Sequence, residues 1–451
     1  MPEWPFCGTM TSRLTLERRR MRDVVIVSGA RTAIGAFGGA LKDIPAIDLG
    51  ALAMSEALKR VGLRPVSGGK LREVAPDRNK ADGVIDLEKQ FYQYDTALRE
   101  VQVDEVVMGN VLQAGLGQNS TRQASIRAGI PKETPAYTVN KVCGSGLKAI
   151  TVGAQPIMTG EADVVVAGGM ESMSCAIYGL PKARWGYRMD VNGVGELRDL
   201  MVYDGLWEIF YGFHMGNTAE EVAARYEITR EEQDEVGALS HHRARAAIAD
   251  GLFAEEIVPV PVPQRRGEPV MFDTDERPMD TSVEKMSKLK PAFRSNGTVT
   301  AGNSSGVNDA AAAVVMMSRE KAEELGLEPV LTVQSFASGG VDPKYMGLGP
   351  IPAIRKALKR QGIEVKDLDV VELNEAFAAQ AIACVRELGF DWEKTNPHGS
   401  GISLGHPIGC TGARQVVTLM HDMKNRDLRY GMVSMCIGGG QGMAAIFERA
   451  K

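Results

Sequence analysis

The sequence has little cysteine, and none of it is paired. Six cysteines, at 7, 143, 175, 384, 410 and 436, are spread over 451 residues, with no CxxC among them. That excludes a disulfide framework and leaves no paired zinc ligands, so no metal is expected. A reducing, cytoplasmic setting fits this usage. Charge of one sign is also lacking: 52 Lys and Arg stand against 57 Asp and Glu, a net charge of -5. Without a basic excess to neutralise phosphates, nucleic acid is excluded as a partner. No apolar run reaches membrane-spanning length, so no membrane span is expected. The glycines of residues 28–35 match neither a phosphate-binding loop nor a dinucleotide fingerprint, which argues against a nucleotide-dependent enzyme.

What is present suffices for a large core. With 44% hydrophobic residues, the length suggests two or three packed units. Residues 1–20 carry Arg13, Arg18, Arg19 and Arg20 but no apolar core of signal-peptide length. Arginine hints at organellar targeting; Glu3 and Glu17 count against it. Met21 directly precedes the apolar run at 24–27. Residues 1–21 are therefore expected to be a disordered extension, or to precede the true start.

The chain repeats itself. Glu56-Ala57-Leu58-Lys59-Arg60-Val61-Gly62 returns as Lys356-Ala357-Leu358-Lys359-Arg360-Gln361-Gly362, and Val106-Val107-Met108-Gly109-Asn110 as Val370-Val371-Glu372-Leu373-Asn374. Each block reads as a helix ended by glycine, then a buried strand. The two spacings differ, so the first copy carries about 36 extra residues, read as a surface insertion near 65–102 with one helix over 86–101. A third match sets Cys143-Gly144-Ser145-Gly146 and its helix against Cys410-Thr411-Gly412-Ala413 and its helix. The pattern predicts two duplicated α/β halves, 22–170 with 296–326 and 327–451. The irregular segment 171–295 is expected to cover a ligand.

Three glycine-rich motifs carry candidate chemistry. Cys143 follows a strand-like run and opens a helical pattern, where free N–H groups and the helix dipole favour thiolate. A buried structural cysteine is the competing reading. His406, in Gly405-His406-Pro407-Ile408-Gly409, could take the thiol proton or bind an oxyanion. Cys436 precedes Gly438-Gly439-Gly440, and a second thiol suggests proton exchange at carbon. Asn374 fits an N-cap before the helical face Phe377, Ala381, Cys384, Val385, Leu388. Cys175, Cys384 and Cys410 read as small core or loop residues. His241 and His242 read as solvated, and His398 and His421 as lacking a cysteine or carboxylate constellation.

Together, Asn140-Lys141-Val142-Cys143-Gly144-Ser145-Gly146, Gly168-Gly169-Met170-Glu171-Ser172-Met173-Ser174, Asn374-Glu375-Ala376-Phe377-Ala378-Ala379-Gln380, the Gly405–Gly409 motif and Cys436-Ile437-Gly438-Gly439-Gly440 resemble the thiolase family from about Val24 to Arg449. The resemblance implies two βαβαβαββ halves in a five-layered αβαβα core, with a loop domain that binds coenzyme A. It implies acetyl-CoA C-acetyltransferase chemistry without a cofactor or metal: acetyl-CoA, acetoacetyl-CoA and CoA are the substrates. Cys143 would carry the acetyl group and His406 would activate it. Cys436 would remove the α-proton. The N–H groups of Cys143 and Gly438 would face one oxyanion, and His406 with a water on Asn374 the other. Leu206, His214, Met215, Phe293, Ala301, Ser305, Met346, Ala376 and Phe377 would line the pantetheine and acyl channel. Arg277 and Lys285 are weaker candidates for the CoA phosphates. The stretch 204–216 resembles the short-chain branch, and 176–201 its tetramerisation loop, implying a dimer of dimers. A broad-chain-length 3-ketoacyl-CoA thiolase is the nearest alternative. A silent CoA-binding member would not need both cysteines, and a decarboxylating condensing enzyme would not need Cys436 as base.

Overall fold

The structure, a computed structural model, describes residues 21–189 and 195–450. The extension expected over 1–21 therefore lies almost wholly outside the described residues. Strand β1 (Val24–Thr32) is buried at all nine positions, as a sheet covered on both faces requires. Helix α1 (Ala46–Lys59) buries Ala46, Leu49, Ala53 and Ala57 along one stripe. Then come β2 (Glu105–Gly109), α2 (Ser120–Arg127), β3 (Ala136–Val139), α3 (Ser145–Thr159) and β4 (Val164–Ser172). The chain next leaves the sheet through α4 (Met215–Arg225) and α5 (Arg230–Ala249), and β5 (Asn308–Ser318) returns to it.

The second half follows the same plan: β6 (Leu331–Gly340), α6 (Pro350–Gln361), β7 (Val370–Leu373), α7 (Ala378–Leu388), α8 (Thr411–Asn425), β8 (Tyr430–Ile437) and β9 (Gln441–Arg449). Its third strand is reduced to one parallel bridge, Val371 with Thr395. The strand order is β3-β2-β4-β5-β1 in one half and β6-β9-β8-β7 in the other. Antiparallel pairs Val25 with Thr332 and Ile26 with Leu331 join the halves at the centre. Helices α1 and α2 cover one outer face, α6 and α7 the other, and α3 packs on α8 between the sheets. These are the five αβαβα layers. Even irregularities repeat: β1 shifts register between Ile26 and Ser28, and β6 between Val333 and Ser335.

The insertion differs from expectation. Its helix spans only Asp86–Phe91, with a second short helix at Gly69–Glu73. The helical run ends at the extended Tyr92, and beyond it Tyr94 turns inward, where its hydroxyl donates to the Ala128 carbonyl at 2.8 Å. The insertion closes on itself through parallel strands Leu63–Pro65 and Arg99–Val101, and Tyr94 and Val101 pack into the core of the first half.

Two histidine expectations are also corrected. His241 is buried, not solvated, and its Nδ1 accepts from the Met279 N–H at 3.3 Å. His398 does have a carboxylate, with Asp422 Oδ1 2.9 Å from its Nε2. Neither partner is near in sequence, so spacing carried no sign of either.

The excursion between β4 and β5 is tied to the core by a buried charge cluster. Arg31, at the end of β1, meets Glu256 at 2.5 Å and Asp275 at 2.7 and 2.9 Å. All three side chains are essentially inaccessible. Asp275 also accepts from the Ile34 N–H at 2.8 Å. Pairing of this quality is what lets such charges stay buried.

Candidate active site

The turn before α3 is strained. Val142, a β-branched residue, sits at φ 46°, a left-handed conformation that such residues rarely adopt. Local bonds hold it: its N–H donates to Asn140 Oδ1 at 3.0 Å, and its carbonyl accepts from Ser145 Oγ at 2.7 Å. The turn presents the half-buried Cys143 just ahead of the helix. Desolvation pushes its thiol up to about 11, with the Glu171 charge adding to this, while the N–H groups of Gly438 and of Cys143 itself pull it down. Those two donors are the expected oxyanion pair, and both reach the sulfur's surroundings.

His406 is buried on the loop before α8. Its backbone N–H donates to Asn308 Oδ1 at 3.0 Å. Thr411 Oγ1 lies 2.7 Å from Nδ1 and donates its own proton to the Pro407 carbonyl. The hydroxyl must then accept from Nδ1–H, which leaves Nε2 as the basic nitrogen. Desolvation, helped by Arg414, lowers the imidazole to about 3. It is therefore neutral, with the Nε2 lone pair free, while the same burial weakens it as a base.

Cys436 sits near the end of β8, before a turn in which Gly439 and Gly440 take φ 76° and 75°. It is fully buried among Met215, Met346, Ala376 and Phe377. Desolvation first, then the neighbouring Cys143, raise it well above the ordinary thiol range. Asn374 does not cap α7, whose first turn follows Phe377 without a side-chain cap. Its Nδ2 instead lies 3.4 Å from His406 Nε2, and its buried Oδ1 has no partner. The run β7 through α7 looked like a capped helix because its hydrophobic stripe starts at Phe377; the buried histidine that claims the amide is 32 residues away.

A cavity of about 300 Å³ opens onto Cys143 and His406. All nine residues assigned to the channel line it: Leu206, His214, Met215, Phe293, Ala301, Ser305, Met346, Ala376 and Phe377. Cys436, Asn374 and Gly438 lie outside that lining. His214 stacks on Phe293 at 4.9 Å, and Phe293 meets Phe377 edge-on at 6.2 Å. Arg277 also lines the cavity, its guanidinium donating to the Ile402 and Ser304 carbonyls at 2.7 and 3.1 Å. Lys285 is exposed and pairs with Asp280 at 3.4 Å. Sequence reasoning missed Thr411 and Asn308, which orient His406; nothing in their local pattern marks them. The arrangement places a thiol and a neutral imidazole on the cavity, two N–H donors at that thiol, and a second, fully buried thiol next to it.

Family comparison agrees with this geometry. The model for the N-terminal domain of thiolase matches residues 24–75 and 89–320, and that for the C-terminal domain matches 327–449. The unmatched gap falls inside the insertion. An acetyl-CoA acetyltransferase of Syntrophomonas wolfei is 51% identical over 429 residues, covering 95% of this chain and 99% of that protein. One from Cupriavidus necator is 51% identical over 430 residues, covering 95% and 100%. The crystal structure of the Bacillus anthracis acetyl-CoA acetyltransferase superposes with a TM-score of 0.84 at 43% identity, covering 95% and 99%. Both halves are thus matched by known relatives along nearly their whole length, and the chain belongs to the thiolase family and is an acyltransferase.

Proposed function

We infer that the protein is an acetyl-CoA C-acetyltransferase, joining two acetyl-CoA into acetoacetyl-CoA and CoA, reversibly. The observation that carries this reading is a second buried thiol directly behind the one that faces the cavity with a neutral histidine. Cys143 attacks the first thioester while its proton passes to His406 Nε2. Cys436 protonates the departing CoA sulfur and is left as thiolate, paired with the imidazolium. It then takes the α-proton of the second acetyl-CoA. The enolate carbon attacks acetyl-Cys143, and His406 returns its proton to the Cys143 sulfur. Both thiols and the imidazole end as they began. The N–H groups of Cys143 and Gly438 stabilise the tetrahedral oxyanion. Asn374 Oδ1, buried and without a partner, suits a water at the enolate oxygen.

Met215, Met346 and Phe377 close the acyl end, which supports a short-chain substrate. Acetoacetyl-CoA should be cleaved at least about 10-fold faster than six-carbon or longer 3-ketoacyl-CoAs, because a packed wall must give way for each added methylene. Faster thiolysis of long chains would establish the broad-chain-length alternative.

The arm around Tyr178–Gly179 and Arg198–Asp199 exposes Tyr178, Leu180, Trp185 and Met189. Apolar surface of this kind suits contact with other copies, and a dimer of dimers is part of this reading. Light scattering should give the mass of four chains; a monomer mass refutes it. Among the described residues no helix is long and apolar enough to cross a membrane. Among the described residues all five cysteines are free, which supports a cytoplasmic location.

A further inference from the structure

The duplication places a second, unused constellation beside the active one. Register equates the halves: Val106 pairs with Val166, and Val370 with Gly431. Extending both strands sets Asn110 at the position of Asn374, and Glu171 at that of Cys436. The central helices begin at Ser145 and Thr411. Their glycines Gly146 and Gly412 meet across the layer, where a Cβ would touch Ala413 N and Leu147 N at 2.9 and 2.5 Å. Those glycines are therefore the equivalent pair. The sequence match of Cys143 with Cys410 is thus off by one, and Gly409 stands in the place of Cys143. Asn374, Cys436 and Cys143 in one site face Asn110, Glu171 and Gly409 in the other.

In this second constellation a carboxylate replaces the basic thiol. Glu171 is wholly buried. Its Oε1 accepts from Asn110 Nδ2 at 2.8 Å and Leu112 N–H at 3.2 Å. Its Oε2 accepts from Val111 N–H at 3.0 Å and Gly409 N–H at 2.8 Å. A Cβ on residue 409 would lie 2.6 Å from Oε2, so only glycine lets the loop reach the carboxylate. Gly409 is three residues from His406 and two from Thr411, which orients the imidazole.

We propose that Glu171 is a positioning residue for the reaction: its carboxylate locks the His406–Thr411 loop of the second half onto the Asn110–Leu112 loop of the first. The lock sets the histidine against Cys143, which the first half supplies. This proposal rests on the functional reading above. Four N–H donors suit the ionised carboxylate, while burial opposes it and raises the group to about 7. The same charge opposes thiolate at Cys143, whose other titratable neighbours are Cys436 and His406.

Glu171→Gln keeps the shape but sets an amide N–H against a donor. It should lower kcat for acetoacetyl-CoA thiolysis about 10- to 100-fold, as loss of a buried orienting group does, with KM changed less than about 3-fold. Removal of the charge should also move the pH midpoint of Cys143 alkylation by iodoacetamide downward. Glu171→Asp, which keeps the charge, should lose kcat but leave that midpoint in place. Wild-type kcat in Glu171→Gln, or an unmoved alkylation midpoint, overturns the proposal. If the Gln variant does not fold, wild-type kcat in Glu171→Asp overturns it equally. Alkylation needs no substrate, so it is read independently of whether acetoacetyl-CoA is the true substrate; wild-type enzyme inert on acetoacetyl-CoA would instead sink the functional reading.

Discussion

Cys143→Ala is expected to lose activity by a factor on the order of 10⁴ or more, because the covalent route disappears with the nucleophile. Incubated with acetyl-CoA, the variant should show no acetyl adduct by mass spectrometry. Cys436→Ala should behave differently. Its cavity-facing residues, Cys143 and His406, remain, and His406 can still return the proton to the leaving CoA. It should therefore still acquire one acetyl group, while condensation falls about 10²- to 10⁴-fold for want of the base. The pair of results separates carrier from proton acceptor. An adduct on Cys143→Ala, or normal condensation by Cys436→Ala, would reverse the assignment.

The second large effect is on stability. Arg31→Met should cost about 3–5 kcal/mol, since it strands two inaccessible carboxylates without their cation. Thr418 Oγ1, which donates to Glu256 at 3.1 Å, and the Ile34 N–H on Asp275 cannot replace a guanidinium. Urea titration measures the loss. Hydrogen exchange should speed first in residues 256–275, the segment that Arg31 tethers. The triple variant Arg31→Met, Glu256→Gln, Asp275→Asn should recover part of the loss by removing the stranded charges. A single-variant loss under about 1 kcal/mol would mean that water or relaxation replaces the pairing.

Much of the site was legible because its motifs are local. Cys143, His406 and Cys436 each sit in a glycine-rich turn, and glycines mark where backbone approaches closely or bends left-handed. The nine channel residues came from family resemblance, and each lines the cavity. Local reading failed where one residue has two plausible partners. Asn374 had the spacing of a cap, yet its amide faces His406. His241 sits on a charged helix, yet the segment ending at Met279 buries it. Cys410 matched Cys143 by identity, yet helix contact makes Gly409 the true equivalent.

By itself the sequence showed the duplicated α/β plan, the insertion in the first copy and three glycine-rich motifs, to which the family resemblance attached catalytic roles. Each element and motif is written in periodicity or turn chemistry over fewer than about twenty residues, and the duplication shows because such short blocks recur in the same order. The tertiary structure alone decided how the halves face each other. It set Thr411 and Asn308 on His406, Arg31 between two distant acids, and Glu171 on Gly409. Those contacts exist because burial forces each polar group to find a partner wherever packing brings one. Their separations of 5 to 244 residues follow no period. The two halves share one plan, but only packing set Asn374 and Cys436 beside Cys143 in one place, and Asn110 and Glu171 beside Gly409 in the other.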